Sequence, residues 1–486
     1  MASDFNENTR VQVPAAFHLC RLGYTYVDTL PRYEDDCNIL TDVFLSQLGK
    51  LNPGYTEQDC KNYLLKIKTC LANDDLGREF YSLLSANSGI RMIDFEHPER
   101  NTWHVTTEFS CENTDTQDSF RPDITCFVNG LPLAFIEVKK PNNYEGMKAE
   151  FDRINRRFAN RAFRRFFNIV QLMIFSNNQE YESTNRVPVQ GAFYCCTAKD
   201  TAFYNVFREA EKDFAAKYPY QDVSADVLKK ILRHRNCLSL ASHPEFETNI
   251  KPVTPTNRII TSMLSRERFL YLLRYGFAYV ESRRELADGT EVSVLQKHIM
   301  RYQQLFATLA VQRSLDRGHK GGIIWHTQGS GKTAFAYYSV KVLTDYYARK
   351  NTAVKFYFIV DRLSLMEQAA DEFVSRGLLV RTADTRENLM KDFRSCELVE
   401  NTDGRAEIMV VNIQKFEEDY TPVDIASDYG IALQRVFFID EAHRGYNPKG
   451  SFLANLLDAD KNAVRIAMTG TPLLKEERES WRVFGD

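Results

Sequence analysis

The chain has 486 residues with 62 basic and 65 acidic side chains, a net charge of −3, so it is long enough for two or three domains and too balanced for a charged tail. With 44% apolar and 26% charged residues it sits at the globular average, which excludes wholesale disorder and fibrous repeats. No apolar run reaches the about eighteen residues that span a bilayer, and the polar start Met1-Ala2-Ser3-Asp4-Phe5-Asn6 lacks the parts of a signal peptide. No membrane partner is expected, and a cytoplasmic location is. Ten cysteines without any C-x-x-C pair argue against disulfides and zinc.

The first hundred residues read as largely helical: 42–51 and 60–72 carry helix-spaced apolar side chains, separated by the breaker Asn52-Pro53-Gly54. From Trp103 the pattern changes to short extended runs, 103–109, 124–128, 131–138, 169–175 and 191–197, with a basic helical stretch between the third and fourth. A helical connector is expected over 201–235. The Pro-bearing stretch 243–257 is the expected boundary, giving one domain over 1–245 and another over 246–486. Beyond it, apolar runs at 322–325, 354–360, 408–413, 436–439 and 464–468 alternate with helical segments, the rhythm of a parallel sheet with crossover helices. The expected fold class is α/β: a mixed sheet flanked by helices, then a parallel-sheet nucleotide-binding domain.

The first residues with chemistry to offer lie at strand ends. Arg121-Pro122-Asp123 opens one strand, and Glu137-Val138-Lys139 closes the next. Residues two apart in a strand project from one face, so Glu137 and Lys139 share a face and Val138 takes the other. Phosphodiester hydrolysis needs a divalent ion held by fixed oxygen ligands; Asp123 and Glu137 would bind Mg²⁺ while Lys139 orients the attacking water and offsets developing charge. Acids and lysines also end many strands as solvated ion pairs worth little. Here the acids are embedded in strongly apolar strands, where an unpaired carboxylate is costly, and the Pro-Asp and Glu-Val-Lys-Lys-Pro context resembles the PD-(D/E)xK nuclease core. From the first helix, Glu7 is a faint candidate for a further acidic ligand.

Loop parity makes that geometry testable. A two-residue turn at Asn129-Gly130 pairs Val128 with Leu131 and, in an unbroken ladder, sends Asp123 to the face away from Glu137. A three-residue loop, Val128-Asn129-Gly130 with Gly130 at positive φ, pairs Phe127 with Leu131 and returns Asp123 to the face of Glu137. The odd loop, or an equivalent bulge, is expected.

Between Lys148 and Arg165 seven basic residues stand against two acids, Glu150 and Asp152. Arg153, Arg157, Arg161 and Arg165 recur every four residues, one face if the helix is continuous. Solvent and a phosphate backbone are equally good reasons for such a face, and the second makes these arginines candidates for DNA contact.

Farther on, Ile323-Ile324-Trp325 leads into His326-Thr327-Gln328-Gly329-Ser330-Gly331-Lys332-Thr333 and then an apolar helical run. Gly329, Ser330 and Gly331 would wrap a phosphate with their amides at a helix N-terminus, Lys332 would reach the β/γ-phosphates of ATP, and the Thr333 hydroxyl would go to Mg²⁺. The usual first glycine is His326, so the strict G-x-x-x-x-G-K-T pattern is broken. A second motif accompanies it: the apolar strand Val436-Phe437-Phe438-Ile439 ends in Asp440-Glu441-Ala442-His443. There Asp440 would hold the Mg²⁺ shell, and Glu441 would polarise the attacking water.

From Tyr302 onward the chain resembles the superfamily-two helicases. Tyr302-Gln303-Gln304 is similar to the adenine-reading segment, Phe358-Ile359-Val360-Asp361-Arg362 to the motif that contacts DNA phosphates, and Asn412-Ile413-Gln414-Lys415-Phe416 to the next motif. Thr469-Gly470-Thr471-Pro472 resembles the motif that links hydrolysis to DNA. The resemblance assigns adenine binding to Gln303 and coupling to His443, Thr469 and Thr471. It implies a RecA-like first motor domain; the second, with its arginine for the transition-state phosphate, is not seen before Asp486. The expectation is a fragment that binds ATP weakly and does not translocate by itself.

A PD-(D/E)xK nuclease followed by such a motor resembles the restriction and motor (R) subunit of type I restriction enzymes. That family implies ATP-dependent translocation on double-stranded DNA, cleavage with Mg²⁺, and methyltransferase (modification) and specificity subunits as partners. It often carries a glutamine and a tyrosine four residues apart after the nuclease lysine, where this chain has Arg153 and Arg157. The alternatives are a single-chain or standalone nuclease-helicase defence protein, and an ATP-gated DNA-binding scaffold with a silent nuclease.

Overall fold

The computed structural model describes residues 6–30, 38–86, 88–111, 120–141, 143, 145–181, 190–199, 201–211, 220–285, 288–327, 329–383, 385–394, 406–412, 432–440 and 460–470. The chain divides into two compact units, Met1–Phe277 with Leu295–Arg301, and Ala278–Val294 with Tyr302–Asp486.

The first unit opens on a π-helical turn, Asn8–Gln12, running into α1 (Val13–Arg21). After β1 (Thr25–Tyr26) come α2 (Thr41–Leu51), α3 (Glu57–Leu71) and α4 (Arg78–Leu84). The breaker between α2 and α3 works as a stop and a start: the Asn52 amide donates to the Leu48 carbonyl at 2.8 Å, and Thr56 with Asp59 forms a capping box. Then follow β2 (Trp103–Thr107), β3 (Ile124–Val128), β4 (Leu131–Val138), α5 (Gly146–Ala159), α6 (Arg164–Ile169), β5 (Leu172–Ser176), β6 (Ala192–Cys195) and β7 (Asn205–Val206).

These seven strands form one mixed sheet in chain order, parallel at β1–β2 and β4–β5 and antiparallel elsewhere. Every residue of β3, β4 and β5 is buried, as expected of central strands covered on both faces. The connector expected to be helical differs. Asn205 and Val206 pair with β6 instead, and among its described residues only α7 (Ala225–His234) is helical.

The Pro-bearing stretch is not a linker. Pro244 and Pro255 occupy first-turn helix positions, where a missing N–H removes no bond, and they start α8 (Pro244–Asn249) and α9 (Pro255–Leu264). With α10 (Arg266–Tyr275), α9 buries Ile259, Ile260, Leu264, Phe269 and Leu272 within the first unit, so the division falls at Phe277 and not at residue 245. A hairpin that periodicity did not suggest, β8 (Phe277–Glu285) and β9 (Glu291–Ile299), comes next.

The second unit continues with α11 (Tyr302–Asp316), β10 (Gly321–Trp325), α12 (Lys332–Ala348), β11 (Ala353–Val360) and α13 (Leu363–Ser375). It goes on with β12 (Leu379–Ala383), α14 (Arg386–Arg394), β13 (Glu407–Asn412), β14 (Leu433–Asp440) and β15 (Val464–Thr469). The sheet order is β10-β15-β14-β11-β13-β12 and every pairing is parallel. One face is closed by Tyr357, Ile359, Met409, Phe437 and Ile439 packed with Leu389 and Phe393 of α14. All strands therefore end at one edge, the edge where an open α/β sheet binds ligands. Among the described residues no helix is long and apolar enough to cross a membrane.

Candidate functional site

In the first unit, the turn that decides where Asp123 points is even-numbered. Val128 pairs with Leu131, and both turn residues have positive φ, Asn129 at 51° and Gly130 at 82°. The expected three-residue loop is not formed; the equivalent bulge is. Pairing passes from Phe127–Pro132 to Cys126–Ala134, which leaves Leu133 as an extra residue on β4. From there Thr125 faces Phe135 and Ile124 faces Ile136, and continuing the register sets Asp123 opposite Glu137.

Asp123 is pinned on several sides. Its carbonyl accepts the Glu108 N–H at 3.1 Å and the Gln12 amide at 2.7 Å, and its Oδ2 accepts the Val138 N–H at 2.8 Å. The π-helical turn before α1 thus brings Gln12 to the site, and Glu7 comes with it. The Lys139 Nζ donates to the Val138 carbonyl at 2.8 Å and lies 3.4 Å from Glu150, 3.5 Å from Glu7 and 4.0 Å from Asp123. Glu137 is buried and pairs with Arg157 at 3.4 Å.

Electrostatics follow from crowding acids in a dry place. Burial pushes the Asp123 carboxyl up against the pull of Lys139. Glu137 is raised well above the carboxylate range, by burial first and then by the charges of Asp123 and Glu150. Burial by itself would lower the Lys139 ammonium, but Asp123, Glu150, Glu137 and Glu7 outweigh it and hold the amine charged. Two carboxylates in one buried site resist ionising together unless a cation joins them. Hard oxygen donors of this kind fit Mg²⁺. Among the described residues no three His, Cys, Asp or Glu side chains gather into a ready-made metal cage. Asp123 and Glu137 would supply two ligands and leave the rest of the shell to water and substrate, as Mg²⁺ commonly takes them.

The arginine stripe is not one helix face. Helix α5 ends at Ala159, because Asn160 leaves helical geometry and its side chain caps a 3₁₀ turn, Arg161–Phe163, by accepting the Ala162 N–H at 3.0 Å. Arg161 is therefore in that turn and Arg165 in α6. Arg157 points inward. It spans Glu137 at 3.4 Å and Glu150 at 3.7 Å, with its guanidinium 3.8 Å from the Phe120 ring centre. Arg153 reaches Glu150 at 3.1 Å with its side chain 45% exposed. Glu150 is absent from the expected set, although its spacing of three and seven residues before these arginines puts it on their face of the helix.

In the second unit the phosphate-loop residues follow β10 directly. Gly329 (φ 77°) and Gly331 (φ 84°) take left-handed conformations, and Gly331 caps α12, whose first residues are Lys332 and Thr333. A Cβ on Gly331 would lie 2.6 Å from the Gln304 amide nitrogen, which donates to the Gly331 carbonyl at 3.3 Å and fastens the loop to α11. Asp440 ends β14, with its Oδ1 3.3 Å from the Lys332 Nζ. The neighbouring β15 ends at Thr469, whose carbonyl accepts the His326 N–H at 3.0 Å. Buried polar atoms still lack hydrogen-bond partners here, the Ser330 Oγ and the Gln303 Oε1. A loop of amides, a lysine, an aspartate at a strand end and spare polar atoms fit a nucleoside triphosphate and its Mg²⁺. Glu441, His443, Thr471 and residues 413–416 lie outside the described residues.

Comparison with known proteins agrees with both halves. Residues 4–186 match the family model described as the type I restriction enzyme R protein N terminus, and residues 303–486 match the SWI2/SNF2 ATPase model. The chain is thus similar to an R-protein N terminus over its first part and to a SWI2/SNF2 ATPase over its last. A Methanocaldococcus jannaschii protein named as the MjaIXP endonuclease subunit of a type I restriction enzyme is 24% identical over 515 residues, covering 100% of this chain and 44% of that protein. The type I restriction enzyme SsaAORF53P endonuclease subunit of Staphylococcus saprophyticus is 25% identical over 419 residues, covering 85% of this chain and 36% of its own length. Among solved structures, the Sulfolobus solfataricus SWI2/SNF2 ATPase core in complex with dsDNA is 17% identical, with a TM-score of 0.24, covering 37% of this chain and 34% of that one. The chain thus spans less than half the length of these curated relatives. The stretch that matches the R-protein model holds the carboxylate and lysine site, and the stretch that matches the ATPase model holds the phosphate loop.

Proposed function

We propose that this chain is the nuclease and first motor portion of a type I restriction subunit, coupling ATP-dependent translocation on duplex DNA to Mg²⁺-dependent cleavage with methyltransferase and specificity partners. The observation that carries the reading is the meeting of Asp123, Glu137 and Lys139 at one strand end, on a chain that also pairs Lys332 with Asp440. Asp123 and Glu137 would hold the ion, which supplies a polarised phosphate and a nucleophilic water when bound. Lys139, charged and fixed by its acids, would orient that water and balance charge on the phosphate. Gly329, Ser330, Gly331 and Lys332 would hold the nucleotide phosphates, Thr333 and Asp440 its Mg²⁺, Gln303 the adenine, and Glu441 the attacking water. His443, Thr469 and Thr471 would pass hydrolysis on to DNA.

The test is cleavage of circular unmethylated DNA by the intact subunit assembled with its partners, in ATP and Mg²⁺. Lys332→Ala is expected to abolish ATP turnover and cutting together, and Lys139→Ala to abolish cutting with ATP turnover kept. Cleavage that survives Lys139→Ala would remove the nuclease assignment. A second reading, a motor with a silent nuclease, draws on the Arg157 guanidinium seated against Glu137; it requires that the unaltered assembly leave this DNA uncut.

A further inference from the structure

Glu150 is, with Glu7, an acid beside Lys139 that the reading above leaves without a task, and it is the more deeply buried of the two. Its side chain is 1% exposed, and neither carboxylate oxygen accepts a hydrogen bond. Every charged neighbour within ion-pair distance is a cation: Arg153 at 3.1 Å, Lys139 at 3.4 Å and Arg157 at 3.7 Å. A buried carboxylate is tolerated only with cations held against it, and the cations are held equally.

We propose that Glu150 is a positioning residue of the nuclease centre, an anion on α5 that fixes Lys139 and Arg157 beside Asp123 and Glu137. The proposal rests on the nuclease reading and gives the two arginines a local reason. A chain with Arg153 and Arg157 beside a catalytic lysine crowds three positive charges, which repel one another unless an acid lies among them. Glu150, three residues before Arg153 and seven before Arg157, is on the correct face and turn of α5 to be that acid. Its hold on Lys139 lies away from solvent, since only 10% of the lysine side chain and 1% of the Glu150 side chain are exposed. Arg157 is fixed as well, by the Phe120 ring at 3.8 Å and by Glu137 on its other flank. Asp123, Lys139, Glu150, Arg157 and Glu137 therefore form one run of alternating acidic and basic side chains, in which each side chain's place depends on the next.

The experiment compares Glu150→Gln with Glu137→Ala in the intact subunit and its partners, reading DNA cleavage, ATP turnover and the acetylation rate of Lys139 by mass spectrometry. Glu150→Gln keeps the shape and removes the charge. It is expected to slow the single-turnover cleavage rate by about ten- to a hundredfold, to leave ATP turnover and DNA affinity in the normal range, and to acetylate Lys139 several times faster. Normal cleavage and unchanged Lys139 labelling in Glu150→Gln, with Glu137→Ala inactive, overturns the proposal and leaves the nuclease reading intact. Normal cleavage by Glu137→Ala instead overturns the nuclease reading itself. Should Glu150→Gln not fold, Glu150→Asp decides, since it keeps the charge on a side chain one carbon shorter. Partial loss of cleavage with intermediate labelling supports the proposal, and unaltered behaviour on both counts refutes it.

Discussion

Asn129 and Gly130 join β3 to β4 in the first unit, and each is bound to its place by more than the turn. The Asn129 side chain accepts the Thr102 N–H at 2.7 Å and donates to the Met92 carbonyl at 2.9 Å. Gly130 accepts the Leu40 N–H at 2.9 Å, and a Cβ there would come within 2.7 Å of the Leu40 carbonyl oxygen. Gly130→Ala therefore meets both a left-handed φ and a backbone clash. It is expected to destabilise the first unit by about 1–3 kcal/mol, read as a lower denaturant midpoint, and, on the proposed function, to reduce DNA cleavage more than ATP turnover. An unchanged midpoint would mean that the turn relaxes away from Leu40. At this scale the dipeptide was legible as a turn, and so was the need for an odd loop or an equivalent bulge; which of the two forms, and where, was not. The missed signal is Pro132. Proline has no N–H for a central strand's ladder and is confined to bulges and edges, so in a strand buried along its whole length it marks the irregularity that leaves Leu133 without a partner on β3.

Elements were legible where hydrophobic period and local chemistry agreed, as for β3 and β4, whose observed limits equal the expected ones. They were misread where spacing was extended across a capping residue. The four-residue recurrence of arginines suggested one helix, whereas Asn160 ends α5 and begins another turn. The Pro-bearing stretch was misread for a related reason, since proline at a helix start and proline in a linker look alike without knowledge of what the helix packs on. Helix α9 packs on α1, and His18 of α1 is fully buried with its Nε2 2.6 Å from the Thr261 hydroxyl of α9. Burial lowers the His18 pKa from 6.5 to about 3, with the nearby Arg21 adding to the effect. A folded-state pKa below the unfolded one gives stability that is complete above pH 6.5 and is lost as pH falls toward 3. The slope is up to about 1.4 kcal/mol per pH unit. His18→Gln removes the titrating group and keeps a polar partner for Thr261. The variant is expected to be less stable at pH 7 than the parent chain but to lose less stability between pH 7 and pH 4.5, as measured by denaturant unfolding at the two pH values. Equal losses would show that His18 is not the acid-sensitive contact.

At the scale of the whole molecule, a net charge of −3 gives no long-range attraction for a polyanion, so the proposed affinity for DNA would have to come from local basic surface. Which arginines supply it depends on whether their charge is already neutralised within the fold. Arg157, 18% exposed, is matched by Glu137 and Glu150, whereas Arg161 lies exposed in the 3₁₀ turn after α5. A phosphate contact releases a counterion only if the cation was solvated beforehand. Arg161→Gln is thus expected to weaken duplex binding and to reduce the slope of log affinity against log salt concentration by about 0.9. Arg157→Gln is expected to leave that slope unchanged and to lower cleavage instead, because it frees Glu137 and Glu150 rather than a phosphate. The measurement is the duplex dissociation constant of the intact subunit over a series of KCl concentrations, without nucleotide, for the parent chain and both variants. If Arg157→Gln flattens the slope and Arg161→Gln does not, the guanidinium on Phe120 turns outward to meet DNA, and the charge run through Glu150 is not how the bound enzyme holds its site.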